Sequence, residues 1–118
     1  MKTLDKLNEI LDPKNRGNSG TDRGFGLGYN LPIERIKCKD GFSLSVQAGQ
    51  GVYCTPRAND GPWDKVELGF PSEDLPRKFN EYAEDGDNHT KTVFGYVPIL
   101  EVAVLIDCHG GIAKAKGE

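Results

Sequence analysis

Apolar and polar residues alternate strictly between Phe42 and Ala48, the pattern of a strand with one buried face and one face toward solvent. Other short segments are rich in β-branched or aromatic residues and are bounded by turn-forming residues. The predicted strands are 33–37, 42–48, 52–55, 65–70 and 92–97. Because short turns separate most of them, we expect an antiparallel meander, since parallel strands need a longer crossover.

Helical periodicity predicts helices over 3–12, 74–84 and 98–109. The last is the most apolar, and Gly110 and Gly111 behind it are typical of a helix C-terminal cap. The glycine-rich stretch 14–30 is predicted to be an irregular loop. The expected fold class is α+β, an antiparallel sheet of about four or five strands with helices packed on one face.

The length of 118 residues favours one domain spanning 1–118. Within it we expect an N-terminal helix plus loop at 1–30, an α+β core at 31–112 and a tail at 113–118. The net charge of −3 argues against direct nucleic-acid binding, which needs a concentrated basic surface. With no long apolar stretch and three widely spaced cysteines, the chain is expected to be cytoplasmic, without membrane contact or a disulfide framework.

Motifs of catalysis, cofactor binding or metal binding are weak in this sequence. The glycines at 24, 26 and 28 lack the spacing and flanking elements of a phosphate-binding loop. The three cysteines lack the paired spacing of a zinc site, and Cys108 and His109 lie at the C-terminal end of the last predicted helix, where the dipole disfavours a thiolate. We therefore predict no catalytic residue, cofactor or metal, but buried structural cysteines, a capping His109 and a solvated His89.

The loop after the third predicted strand has the composition of a recognition site. It gathers an arginine, amide and carboxylate groups and large aromatic residues. Arginine can pair with phosphate or stack on a base, and aromatic residues add contact area at small entropic cost. The candidate ligand- or partner-binding residues are Tyr53, Arg57, Asn59, Asp60 and Trp63. The alternative is a rigid loop in which Arg57 caps carbonyls and Trp63 closes one end of the core.

Five sequence motifs are distributed along the chain after residue 37. They are CKDGFSLSVQA at 38–48, YCTPR at 53–57, VELGFPSE at 66–73, FGYVP at 94–98 and HGGI at 109–112. In these motifs the chain resembles a group of small hypothetical proteins of tailed phages and prophages. That group has no assigned activity, so the resemblance implies no site residues.

The resemblance implies a phage accessory protein that inhibits a host bacterial defence system by binding, in the host cytoplasm. The first hypothesis is that the protein sequesters a cyclic nucleotide or an ADP-ribose-type signal. The binding sites would then lie between the protomers of a homo-oligomer. The alternative is a protein-binding inhibitor of a host defence complex, similar in action to anti-CRISPR proteins. A small cysteine-dependent hydrolase using Cys54 or Cys108 is the third hypothesis.

Overall fold

Four antiparallel strands form one sheet in the order β1-β2-β3-β4. The computed structural model describes residues 2–13, 33–49, 51–58 and 61–113. The elements are α1 (Lys2–Leu11), β1 (Ile36–Lys37), β2 (Ser43–Gln47), β3 (Lys65–Gly69), the 3₁₀ helices Arg77–Tyr82 and His89–Lys91, β4 (Val93–Pro98) and α2 (Ile99–Cys108). The predicted α+β class and the antiparallel meander are confirmed, with four strands. The predicted loop at 14–30 lies outside the described residues.

The alternation predicted for β2 is present in the structure. Leu44 and Val46 are fully buried, while the serines beside them are only half-buried. Val46 faces Leu68 of β3 in the register, so the buried rows of the two strands coincide. Burying a side chain of this size contributes about 1.5–3 kcal/mol, which fixes both register and face because a shift by one residue would expose the whole row.

Helix α2 lies next to β4 in the chain and packs with α1. Its buried residues are Val102, Ala103, Leu105 and Ile106, and α1 buries Leu7 and Leu11. The predicted glycine cap is confirmed, because Gly110 and Gly111 have φ of 89° and 87° and the Gly111 N–H donates to Ile106 O at 3.0 Å. The apolar stripes of both helices therefore complete the core.

The first predicted strand is shorter than expected. Only Ile36–Lys37 pair with β2. The Ile33 N–H donates to Gln47 Oε1 at 3.0 Å, and Gln47 Nε2 donates to Ile33 O at 3.0 Å. The side-chain amide of Gln47 thus replaces the backbone hydrogen bonds that would have extended β1 to Ile33.

Two other predicted elements are wrong. The segment 52–55 is not a strand, since only Thr55 forms an isolated bridge, to Lys65. Tyr53, within this segment, instead bonds through its backbone to Glu67 of β3 and Tyr96 of β4. The predicted helix 74–84 is a 3₁₀ helix over Arg77–Tyr82, because Pro76 adopts an extended conformation at its start and Ala83 bridges to Phe94 at its end.

Neighbouring segments cover parts of both sheet edges. At β1, the Ala113 N–H donates to Lys37 O at 2.8 Å and the Lys39 N–H to Gly111 O at 3.0 Å. At β4, the Glu84 N–H donates to Val93 O at 3.0 Å. Covered edges resist pairing with a foreign strand. Binding is therefore better sought in exposed side chains of the sheet surface than in strand addition.

Candidate binding site

A β-bulge interrupts the pairing of β3 with β4. Val66 pairs with Val97, whereas Leu68 pairs with Phe94, so Glu67 alone opposes both Gly95 and Tyr96. Tyr96 has a φ of 57°, in the left-handed region that bulky residues rarely adopt. Bulges often redirect a side chain next to a functional site, and strained residues are concentrated at such sites. The bulge is thus the first structural indication of a site.

Tyr53 lies across this bulge, and hydrogen bonds of the Tyr53 backbone hold it there. Its N–H donates to Glu67 Oε2 at 3.2 Å, and its carbonyl accepts the Tyr96 N–H at 3.0 Å. A Cβ at Gly95 would lie only 3.1 Å from the Cβ of Tyr53, a tight contact that glycine avoids at this close approach. The segment before Thr55 is therefore fixed on the sheet rather than paired within it.

The two tyrosines form an exposed aromatic pair. Tyr53 is 41% exposed and Tyr96 is 42% exposed. Their ring centroids are 5.8 Å apart and the rings are tilted by 37°. The Cζ of Arg57 lies 5.7 Å from the Tyr53 ring centroid, a cation–π distance. We call Tyr53, Arg57 and Tyr96 the tyrosine–arginine surface.

Of the residues predicted for the site, the structure brings Tyr53 and Arg57 together. Trp63 is elsewhere: it is 3% exposed, and its Nε1–H donates to Ala58 O at 3.1 Å. Its position corresponds to the alternative in which the tryptophan closes the core, so its ring offers no exposed face for stacking. Asn59 and Asp60 lie outside the described residues.

Tyr96 was missed by the sequence-based prediction. The available signal was Gly95 within a strand pattern, since an isolated glycine in a strand indicates a bulge or a close backbone approach. The pairing partner of that bulge lies almost thirty residues earlier in the chain, at Glu67. Only the register between β3 and β4 shows that Tyr96 faces solvent beside Tyr53.

The cysteines differ in environment. Cys38 and Cys54 are buried as predicted, but Cys108 is exposed, which corrects the prediction that all three are buried. Burial, with a smaller contribution from the Asp40 carboxylate, raises the pKa of the Cys38 thiol to about 11. The Cys54 thiol hydrogen-bonds to the carbonyl of Gly49 at 3.1 Å. No histidine among the described residues forms a hydrogen bond with a cysteine.

We expect one thiol to react in the folded protein and three after unfolding. At mildly alkaline pH, iodoacetamide should alkylate Cys108 at least about tenfold faster than Cys38 or Cys54, because burial shields both of these thiols from the reagent and the raised pKa of Cys38 leaves it with little thiolate. Mass spectrometry of peptides from native and denatured samples measures this order. Equal alkylation of Cys38 in the native protein would contradict the buried position described above.

His109 connects the end of α2 to the turn after β1. Its Nδ1 lies 2.7 Å from Asp40 Oδ2, and its ring stacks on Phe42 with centroids 3.9 Å apart. A hydrogen bond from the Phe42 N–H, and to a smaller extent the hydrogen bond with His109, holds the pKa of the Asp40 carboxyl below its ordinary value. The predicted capping role is confirmed, because His109 is the C-cap residue of α2 and its N–H donates to Ile106 O at 3.0 Å, while its imidazole bonds to a carboxylate of another element.

The prediction of a solvated His89 is wrong. The residue is 6% exposed, and both ring nitrogens lie within hydrogen-bonding distance of the protein. The reason is tertiary: the segment before β4 folds over the imidazole, although the surrounding residues in the sequence are polar.

Neither a metal centre nor a membrane-spanning helix is found in the part of the chain that the structure describes. No three His, Cys, Asp or Glu residues among the described positions are grouped to hold a metal ion. No helix within the described ranges is long and apolar enough to cross a membrane. Compared with protein-family models, curated proteins and solved structures, the chain shows no significant match. The candidate site therefore depends on its own geometry.

Proposed function

We propose that this protein acts by binding a partner protein through the tyrosine–arginine surface. The observation that supports this is the exposed tyrosine pair with Arg57 against it, held by a strained bulge. Tyrosine and arginine are enriched among the residues that dominate binding energy at protein interfaces. Because the backbone of Tyr53 is fixed by Glu67 and Tyr96, little conformational entropy remains to be lost on binding.

A protein partner fits this surface better than a stacked nucleotide does. The ring of Tyr53 already lies beside Tyr96 and Arg57, which occupy part of the space that a stacked nucleobase would need. Trp63, the other aromatic ring considered for stacking, is buried. An interface needs exposed ring edges and hydroxyl groups as much as free ring faces, and both tyrosines are more than two-fifths exposed.

The biological setting that we propose follows the resemblance to small phage proteins. In that setting the chain is an accessory protein that inhibits a host bacterial defence complex in the host cytoplasm. An inhibitor of this kind covers a functional face of its target and needs no catalytic residue. The absence of a cysteine–histidine hydrogen bond among the described residues gives the thiol-hydrolase alternative no geometric support.

Sequestration of a nucleotide signal is the second candidate function, and one observation favours it. Arg57 forms no ion pair within the described residues and lies beside an aromatic ring. A guanidinium next to a tyrosine is a combination that can meet a phosphate while the ring contacts a base. In this case, a homo-oligomer would complete the site with residues of a second copy.

The test uses phage plating on bacteria that carry one defence system each, with and without this protein. We expect restored plating with at least one system, and loss of that effect in Arg57→Ala. Arg77→Ala is the matched control, since Arg77 is also exposed but lies on the 3₁₀ helix Arg77–Tyr82. Purified target should then bind Arg57→Ala at least about tenfold more weakly than it binds wild type or Arg77→Ala.

Calorimetry against cyclic dinucleotides, cyclic trinucleotides and ADP-ribose derivatives separates the two candidate functions. Binding of a nucleotide that is lost in Arg57→Ala would favour the second function over the first. If a folded Arg57→Ala protein protects phage and binds the target like wild type, the tyrosine–arginine surface is not the binding site.

A further inference from the structure

His89 is buried between two elements that it joins. The Leu75 N–H donates to its Nδ1 at 2.9 Å, and its Nε2 lies 2.6 Å from Asn80 Oδ1. The ring also meets Phe94 of β4 edge to face, with centroids 5.2 Å apart. One imidazole thus contacts the start of the segment before β4, the 3₁₀ helix Arg77–Tyr82 and the sheet.

These partners fix the protonation state of the ring. A backbone N–H can only donate, so Nδ1 must be the unprotonated acceptor and Nε2 must hold the proton that is donated to Asn80. Each buried side-chain nitrogen and oxygen of the described residues has a hydrogen-bond partner. The neutral imidazole is therefore fully satisfied, with no acceptor left for a second proton.

Protonation at Nδ1 would place two donors opposite each other. The bond to Leu75 would be lost, and a positive charge would be buried against uncharged neighbours. The groups in contact with the ring, from Leu75, Asn80 and Phe94, do not ionise. Asp85 bonds to Asn88 and to the Asp87 N–H, and the nearby Asp87 and Lys91 are exposed.

We propose that His89 is a pH-dependent latch that holds segment 75–84 over β4. In the neutral form it fixes Leu75 and Asn80, and the end of the same segment covers the edge of β4 through Ala83 and Glu84. On acidification the ring leaves its site, and the segment loosens from the edge of β4 while the rest of the sheet stays folded. This inference is independent of the tyrosine–arginine surface.

The experiment follows amide hydrogen exchange of the full chain from about pH 7.5 to about pH 5, the interval in which histidine takes up a proton. After correction for intrinsic exchange, protection of the Leu75 amide should fall about tenfold or more, whereas that of Thr55, bonded to Lys65 O, should not. His109→Gln should behave like wild type. In His89→Gln, which has no titrating ring, the pH-dependent loss should be absent.

A second measurement needs only wild-type protein. The ¹⁵N resonance of His89 Nδ1 should stay at its unprotonated position wherever the Leu75 amide remains protected, because the closed segment holds the neutral ring. A ring that protonates while Leu75 stays protected would overturn the latch. So would an equal pH-dependent loss in folded His89→Gln.

Discussion

Replacing Phe94 by alanine is expected to lower the free energy of unfolding by about 3–5 kcal/mol. Phe94 is fully buried, pairs with Leu68 in the register of β3 and β4, and meets the ring of His89. Removing its ring loses apolar burial and leaves a cavity at the junction of the sheet with segment 75–84. Urea denaturation followed by circular dichroism measures the loss.

Phe70→Ala is the matched control for this experiment. Phe70 has the same side chain near the end of β3, but it is 49% exposed. Its substitution should change the free energy of unfolding by about 1 kcal/mol or less. Equal losses in the two variants would contradict the position of Phe94 at the centre of the core.

Tyr96→Gly is expected to separate stability from binding. Glycine adopts a φ of 57° without the steric cost that tyrosine bears, which is about 1–2 kcal/mol. The loss of the contact with Tyr53 and the greater freedom of the unfolded chain offset part of this gain. The free energy of unfolding should therefore stay within about 1 kcal/mol of wild type, or rise.

Binding should respond in the opposite way. Without the Tyr96 ring, affinity for the defence target identified by the plating experiment should fall by about 2 kcal/mol or more, roughly thirtyfold. Tyr96→Phe, which keeps the ring and the backbone strain, should retain more affinity than Tyr96→Gly does. A Tyr96→Gly protein that is strongly destabilised but binds normally would show that Tyr96 has a structural role.

The sequence pattern predicted an element correctly where one local periodicity determines both its hydrogen bonding and its burial. Alternation over Phe42 to Ala48 predicted β2, and apolar spacing followed by Gly110 predicted α2 with its cap. It failed over 74–84, where the apolar spacing fits an α-helix but Pro76 and the bridge of Ala83 leave room only for a 3₁₀ helix. There, contacts with β4 overrode the local preference.

The candidate site was predictable only in part. Tyr53 and Arg57 are close in the sequence, so the loop composition was enough to select them. Trp63 was selected for the same reason, yet its ring is buried with its N–H bonded to Ala58. Composition identifies which side chains can bind, but it does not specify whether a ring packs inward or outward.

By itself, then, the sequence determined the α+β class, the antiparallel pairing and most of the buried rows, because these depend on short turns and on periods of two and about 3.6 residues that can be read locally. Only the tertiary structure decided that Tyr96 stands beside Tyr53, that His89 is buried and that Cys108 is exposed. Each of these depends on a contact between segments far apart in the chain: the bulge opposite Glu67, the fold of Leu75 over the imidazole and the packing of α2. Such contacts produce no periodic pattern in the sequence. Tyrosine, histidine and cysteine can each occupy a buried or an exposed position, so their type alone does not decide the outcome.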